Sequence, residues 1–203
     1  MLSKKIKNIQ FIIHRINKIN ELKKIDKAFG IEIDIRAKDS RLILNHEPYM
    51  NGDNLEDYLE NYNNNTLILN IKESGIENDV LSIVKKFNIK SYFLLDIEFP
   101  FIFNLIKNEN KNFAIRFSEY ENINTLKDYN GIADWAWIDT PNINPINKSN
   151  IKILKNFKSC LVCPERWGRI QDIQNYKIIF ENLKYYPYAI MTAKDTLKLW
   201  LND

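Results

Sequence analysis

Two histidines and a pair of acidic residues are the side chains of this chain that are best suited to chemistry. The sequence contains two histidines, His14 and His46, and histidine is the side chain whose unperturbed pKa lies nearest to neutrality. Between them, an alternating apolar and charged stretch places Glu32 and Asp34 two positions apart. If that stretch is a strand, both carboxylates project from one face. Such a set can transfer protons and bind a cation.

A pair of carboxylates that faces the interior needs compensation, because burying charge without a partner is costly. A divalent cation bound by carboxylate oxygens would supply it, and so would facing basic side chains, for which Arg15, Lys72 and Arg116 are the candidates. The acidic pair could instead have no function. It would then lie on the solvated face of an edge strand or belong to an ion-pair network in the core. The flanking histidines favour a functional site.

The elements that must position these residues follow a repeating pattern of a short apolar strand and an amphipathic segment. The intervening segments have helical character, as the i, i+3, i+4 spacing of Val80, Ile83, Val84 and Phe87 illustrates. This alternation is typical of a parallel sheet that is covered by helices. The predicted strands are 11–15, 31–38, 66–72, 91–98, 112–118, 133–139, 159–164 and 188–193.

Two architectures fit this pattern, a (β/α)8 barrel and an open doubly wound sheet. The open sheet usually carries a Gly-rich phosphate loop after its first strand, whereas this chain has five glycines and no GxGxxG motif. A barrel needs about 200 residues or more, and the chain has 203. We therefore predict an α/β fold, a compact (β/α)8 TIM barrel, with residues 1–203 in a single domain. The carboxyl ends of its strands would bring His14 and His46 to one mouth.

The composition excludes several classes of protein. A hydrophobic content of 45% with 27% charged residues is typical of a folded globular chain. Lys and Arg total 29 against 26 Asp and Glu, and this balance does not indicate binding to nucleic acid. No segment approaches the roughly 18 apolar residues of a membrane helix, and no signal peptide is recognised. These features predict a cytoplasmic protein without a membrane span, and they leave the oligomeric state open.

Cys160 and Cys163 form a CxxC motif, which occurs in redox pairs and in halves of zinc sites. They lie in a strand-like run, and the chain has no second Cys pair to complete four zinc ligands. We predict two small buried thiols on a strand.

Three ordered motifs lie within residues 11–73. They are HR at 14–15, GIEIDIRAKDSRLILNHEP at 30–48, and LEDYLENYNNNTLILNIKE at 55–73. Together they resemble the glycerophosphodiester phosphodiesterase family of the phospholipase C-like phosphodiesterase superfamily, and the resemblance is thin after residue 73. It implies a TIM-barrel phosphodiester hydrolase, a divergent member that acts on a glycerophosphodiester or a related polyol or sugar phosphodiester.

The resemblance also implies catalytic roles. His14 and His46 would be the acid–base pair, Arg15 would contact the phosphate, and Lys72 would lie near it. Cleaving a phosphodiester needs a base that activates a hydroxyl, an acid that protonates the leaving alkoxide, and positive charge near the phosphoryl oxygens. These residue types match those requirements.

The implied metal ligands are Glu32, Asp34 and Asn70, which would hold Mg²⁺ or Ca²⁺. Family members carry Glu where this chain has Asn70, and an amide oxygen brings no charge. Three possibilities follow: weak metal dependence, metal-free catalysis that uses Arg15 and Lys72, or binding without catalysis.

Two further candidates come from strand parity and would bind a small-molecule substrate. Arg116 lies on the fifth predicted strand, and Trp137 on the sixth shares a face with Trp135 and Asp139. Trp137 could stack on a sugar or glycerol group.

The alternative for the whole chain is a catalytically degenerate barrel that binds a phosphorylated ligand or a protein partner.

Overall fold

A computed structural model describes residues 8–202 and divides the chain into two compact units. The N-terminal unit is Ile13–Phe113, and the C-terminal unit contains residues 8–12 and 114–202 of the described chain. Strands and helices alternate in both, so the fold is mixed α/β. Each of the eight predicted strands is confirmed, with ends that differ from the predicted ones by at most three residues.

β2 and β5 are rich in Ile and Leu, and these apolar side chains are buried. β2 pairs in parallel with β5, and β5 pairs in parallel with β6. The register places Asp34 opposite Asn70. Because both faces of these strands are covered, they read as continuous apolar runs. The strands of this unit are β2 (Gly30–Lys38), β3 (Arg41–Leu44), β4 (Asp53–Asn54), β5 (Leu67–Ile71) and β6 (Tyr92–Leu95). β1 (Gln10–Ile13) belongs to the C-terminal unit except for its last residue, Ile13.

The structure contains a hairpin after β2 whose strands β3 and β4 were not predicted. β3 runs antiparallel to β2, and β4 runs antiparallel to β3. The two residues between β2 and β3, Asp39 and Ser40, both have positive φ (50° and 61°), which is the backbone geometry that closes a two-residue hairpin. The hairpin returns the chain to β2, so that the Asn45 N–H donates to the Asp34 carbonyl oxygen (3.0 Å).

The helices of the N-terminal unit bury one face each. In α3, Val80 and Val84 are buried, which agrees with the predicted helical spacing. α2 begins at an Asn54 cap, whose side-chain oxygen accepts from the Glu56 N–H (2.8 Å). The helices are α1 (Ile19–Leu22), α2 (Leu55–Glu60), α3 (Glu77–Lys86) and α4 (Phe99–Lys107).

The C-terminal unit repeats the same arrangement of parallel strands and helices. β7, β8, β9 and β10 pair in parallel in that order. Cys160 and Cys163 are buried and form no disulfide bond; Cys160 lies on β9 as predicted, whereas Cys163 follows the end of that strand. Within residues 8–202, no helix has both the length and the apolar character that crossing a membrane requires. The elements are β7 (Ala114–Phe117), α5 (Ile123–Asp128), β8 (Trp135–Ile138), α6 (Ile151–Leu154), β9 (Lys158–Val162), α7 (Ile173–Leu183), β10 (Ala189–Thr192) and α8 (Leu197–Leu201).

Candidate active site

The two carboxylates of β2 form the centre of the candidate site. Glu32 and Asp34 are each 1% exposed, and as residues i and i+2 of a strand they project from the same face. Ile31, Ile33 and Ile35 project from the other face and are completely buried. The predicted acidic face is therefore an interior feature, which requires a partner for each charge.

Glu32 is held by two N–H donors. Its Oε2 accepts from the backbone N–H of Arg15 (2.7 Å), and its Oε1 accepts from the side-chain amide of Asn70 (2.9 Å). The His14 Nε2 lies 3.9 Å from Oε2. Burial, and next the charge of Asp34, raise the pKa of Glu32 from its ordinary 4.5 to about 7, although both hydrogen bonds oppose that rise. Glu32 can therefore exchange a proton near neutral pH.

Asp34 is surrounded by positive charge and amide groups. The Lys72 ammonium lies 3.2 Å from Oδ1, and the Arg15 Nε lies 3.5 Å from Oδ2. The Asn17 side chain donates to Oδ2 (2.9 Å) and accepts from the Asp34 backbone N–H (2.8 Å). Lys72 also lies 3.7 Å from Asp96, directly after β6. The charge of Asp34 is therefore balanced by two basic side chains.

A tight turn after β1 presents Arg15 to the carboxylates. The predicted strand 11–15 included His14 and Arg15. β1 ends at Ile13, however, so both residues lie in the turn that follows it. Arg15 has a φ of 56°, a left-handed conformation that costs a residue with a Cβ about 1 kcal/mol. That conformation directs its N–H to Glu32, while the buried Tyr58 hydroxyl donates to the Ile16 carbonyl oxygen (2.7 Å) and holds the turn.

The loop after β3 carries the second histidine. The His46 carbonyl oxygen accepts from two nitrogens of the Arg36 guanidinium (3.2 and 2.9 Å). The His46 Nδ1 lies 2.6 Å from Glu47 Oε1, and this hydrogen bond lowers the pKa of Glu47. A carboxylate that accepts from Nδ1 leaves Nε2 as the ring atom that can take up or release a proton.

A cavity of about 560 Å³ connects the turn and the loop. The Arg15 side chain is 34% exposed and that of His46 is 35% exposed, so both are accessible to a ligand. The cavity has room for a small molecule, and the polar side chains around it include Arg15, Asn17, Lys18, Asn45, His46 and Asn51.

The predicted metal ligands, Glu32, Asp34 and Asn70, lie together but face nitrogen donors. Among the described residues, no group of three or more His, Cys, Asp and Glu side chains is placed to hold a metal ion. Both Glu32 oxygens accept N–H groups, and both Asp34 oxygens face Lys72, Arg15 or an amide. The Asn70 Oδ1 is buried and has no hydrogen-bond partner in residues 8–202. A single free amide oxygen does not make the oxygen cage that Mg²⁺ or Ca²⁺ needs, so this donor set does not fit a divalent cation.

Arg116 and Trp137 form a cluster of their own in the C-terminal unit. Both contact Asp139, Arg116 through an ion pair and Trp137 through its indole N–H (3.1 Å). The Trp137 side chain is buried. Their roles in substrate binding stay predictions.

Sequence reasoning did not assign Asn17 or Arg36 to the site. Arg36 continues the alternation of Glu32 and Asp34 and therefore shares their face, which was a signal that could have identified it. Asn17 carries no comparable signal, because its contacts with Asp34 depend on the path of the turn after β1.

The sequence matches no protein-family model and no curated protein. Its structure, however, is similar to solved structures. A glycerophosphoryl diester phosphodiesterase from Agrobacterium tumefaciens C58 superposes with a TM-score of 0.67 at 9% identity, covering 95% of this chain and 97% of the other. A glycerophosphodiester phosphodiesterase from the same organism gives 0.60 at 11% identity, with coverage of 90% and 96%. One from Parabacteroides distasonis gives 0.65 at 15% identity, with coverage of 95% and 86%. The chain therefore shares the fold of these glycerophosphodiester phosphodiesterases.

Proposed function

We propose that this chain is a phosphodiester hydrolase, a divergent relative of the glycerophosphodiester phosphodiesterases with a compact (β/α)8 TIM barrel as its single domain. The shared fold supports the reaction class, and the parallel strands of both units support the barrel. The observation that carries the proposal is that Arg15 and His46, which are far apart in the sequence, line one cavity beside the β2 carboxylates.

The proposed reaction is proton transfer by two imidazoles. One imidazole takes the proton of a substrate hydroxyl next to the phosphate, and that oxygen attacks phosphorus. The other gives a proton to the alkoxide that leaves, so the products are an alcohol and a cyclic phosphate, which water then opens. The Glu47 contact with His46 and the position of Glu32 beside His14 suit this scheme, because each carboxylate can orient and stabilise a protonated imidazole.

The substrate class follows from the cavity. Arg15 offers a guanidinium to a phosphate, and a guanidinium forms charge-assisted hydrogen bonds with phosphate oxygens. Asn17, Asn45 and Asn51 offer amides to the hydroxyl groups of a glycerol, polyol or sugar. A glycerophosphodiester, or a related polyol or sugar phosphodiester, fits these groups, and we propose such a small molecule as the substrate.

The test compares hydrolysis of glycerophosphocholine and bis(p-nitrophenyl) phosphate by wild type, His14→Ala and His46→Ala, with Lys85→Ala on the exposed face of α3 as the control. Loss of a general acid or base is expected to lower kcat by about 10²–10⁴-fold, and Lys85→Ala should match wild type. Turnover that neither histidine change affects would refute the assigned roles.

A second candidate is binding of a phosphorylated ligand without catalysis. It is favoured by Asn70, which donates a hydrogen bond to Glu32 where family members are expected to carry a further carboxylate. Under this alternative, glycerol 3-phosphate would protect the protein against thermal unfolding in an Arg15-dependent manner, whereas none of the phosphodiesters would be cleaved.

A further inference from the structure

We infer that Lys72 and Arg15 occupy the position that a divalent cation would take beside the β2 carboxylates, so that the site acts on a phosphodiester without a bound metal ion. The catalytic part of this inference rests on the proposed function, whereas the part that concerns metal binding does not.

The negative charge of Asp34 is already compensated. Lys72 and Arg15 bring two positive charges to within 3.2 and 3.5 Å of its oxygens, and Lys72 is shared with Asp96 at 3.7 Å. A divalent ion that bound Asp34 would lie beside an ammonium and a guanidinium. Repulsion between like charges at about 4 Å amounts to several kcal/mol away from bulk water, so the ion would have to displace both side chains.

The Glu32 oxygens are occupied by groups that cannot easily leave. The Arg15 N–H that bonds Oε2 belongs to the backbone, and the next residue, Ile16, donates its own N–H to the Glu32 carbonyl oxygen (3.0 Å). The buried Tyr58 hydroxyl donates to the Ile16 carbonyl oxygen (2.7 Å). Freeing Oε2 for a metal would require the whole turn to rearrange, with the loss of buried hydrogen bonds.

Asn70 completes the arrangement. It lies opposite Asp34 in the β2–β5 register and donates its amide to Glu32 Oε1. A carboxylate at this position would place a third negative charge beside two others, and such a cluster requires a cation. The amide at Asn70 brings no charge and supplies a donor instead, so this one residue accounts both for the absence of a further carboxylate and for the occupied Glu32 oxygen.

The two basic side chains then supply the electrostatic part of catalysis. Arg15 borders the cavity, and Lys72 is shared between Asp34 and Asp96, which fix the direction of its ammonium. Positively charged donors that are held in place before the substrate arrives stabilise the charge that develops on phosphoryl oxygens.

The experiment measures metal binding and turnover separately. The experiment compares wild type with Lys72→Gln and with a matched control, Lys86→Gln. The control removes an exposed ammonium that is paired with Glu56. Each protein is stripped of metal with EDTA and titrated with Ca²⁺ or Mg²⁺. Melting temperature and heat of binding report on the metal, and hydrolysis of glycerophosphocholine reports on catalysis. Wild type and Lys86→Gln are expected to show no stabilisation by either ion and the same turnover with and without it. Lys72→Gln should lose turnover by about 10-fold or more and gain stabilisation by Ca²⁺.

Two further outcomes keep the alternatives distinct. If Lys72→Gln does not fold, Asn70→Glu replaces it and is expected to be stabilised by Ca²⁺, because it adds the missing carboxylate. A wild-type melting temperature that rises with Ca²⁺ or Mg²⁺, or turnover that EDTA abolishes and either ion restores, would overturn the inference and leave the proposed hydrolase intact. If the protein binds no metal and cleaves none of the phosphodiesters, the proposed function is refuted. The inference that Lys72 and Arg15 take the place of a cation is then still supported.

Discussion

Replacing Glu32 by Gln should remove part of the pH dependence of the stability of this protein. Burial and the neighbouring Asp34 raise the pKa of Glu32 to about 7 in the folded chain, against an ordinary value of 4.5. Between these two pH values the folded chain binds more protons than the unfolded chain does. The free energy of unfolding therefore falls as the pH rises from about 4.5 to about 7, and the loss is complete above that range.

The size of the loss follows from the rise in the pKa. Each tenfold difference in proton affinity corresponds to 1.36 kcal/mol, so ionisation of Glu32 is expected to destabilise the folded chain by about 3 kcal/mol at pH 8. Because the side chain is 1% exposed, solvent screening reduces this value little. Such a loss is a large share of the 5–15 kcal/mol that is typical of a folded domain.

Glu32→Gln removes the ionisation and can keep both hydrogen bonds. The Gln carbonyl oxygen can accept from the Arg15 N–H, and its amide can donate to the Asn70 Oδ1, which has no partner among the described residues of the wild type. The Asn70 amide would rotate to present that oxygen. We expect the stability of the variant relative to wild type to increase by about 2.5 kcal/mol between pH 5 and pH 8.

Urea denaturation of both proteins at pH 5, 6, 7 and 8 measures this difference. Glu56→Gln is the control, because its exposed carboxylate forms a surface ion pair with Lys86. Loss of that pair should change stability by less than about 1 kcal/mol at any of these pH values. A difference between Glu32→Gln and wild type that stays constant from pH 5 to pH 8 would refute the reasoning, because Glu32 would then have an ordinary pKa.

Three further predictions concern the turn and the loop. Arg15→Gly should be more stable than Arg15→Ala by about 1 kcal/mol in urea denaturation, because glycine adopts the positive φ of this position without steric cost; equal stabilities would contradict this. Tyr58→Phe should lower the free energy of unfolding by about 1–3 kcal/mol, since it leaves the buried Ile16 carbonyl oxygen without its donor, and an unchanged urea midpoint would exclude a structural role for the hydroxyl. Glu47→Gln should lower kcat for phosphodiester hydrolysis by about 10-fold or more while KM changes little, because His46 loses the carboxylate that orients its imidazole. A change confined to KM would assign Glu47 to substrate binding instead.

The secondary structure could largely be predicted from the sequence, because periodicity is a local property. The Ile and Leu runs of β2 and β5 and the i, i+3, i+4 spacing of α3 record which face each element buries. The β3 strand was missed because it pairs antiparallel with β2 and so does not follow the repeating strand–helix pattern from which the other strands were predicted. The left-handed pair Asp39 and Ser40 that closes its hairpin contains neither Gly nor Asn, the residues that usually mark such a turn.

The residues of the candidate site could be predicted from the sequence, but their hydrogen bonds and ion pairs could not. Alternation along β2 determined that Glu32 and Asp34 share a face, and the positions of His14 and His46 beside strand ends predicted that both belong to the same region. Strand parity is enough for such statements, because side chains alternate along any strand.

Tertiary structure decided which donor meets each carboxylate oxygen. The Arg15 backbone turns left-handed, so that its N–H bonds Glu32 while its guanidinium reaches Asp34. The β2–β5 register brings the Asn70 amide to Glu32, and Lys72, one residue past β5, reaches Asp34. Hydrogen bonds depend on distances and directions between segments that are remote in sequence, and residue types alone are compatible with a metal site as well as with a pair of basic side chains. The sequence by itself determined that the two carboxylates need positive charge, and only the fold decided that Lys72 and Arg15 provide it.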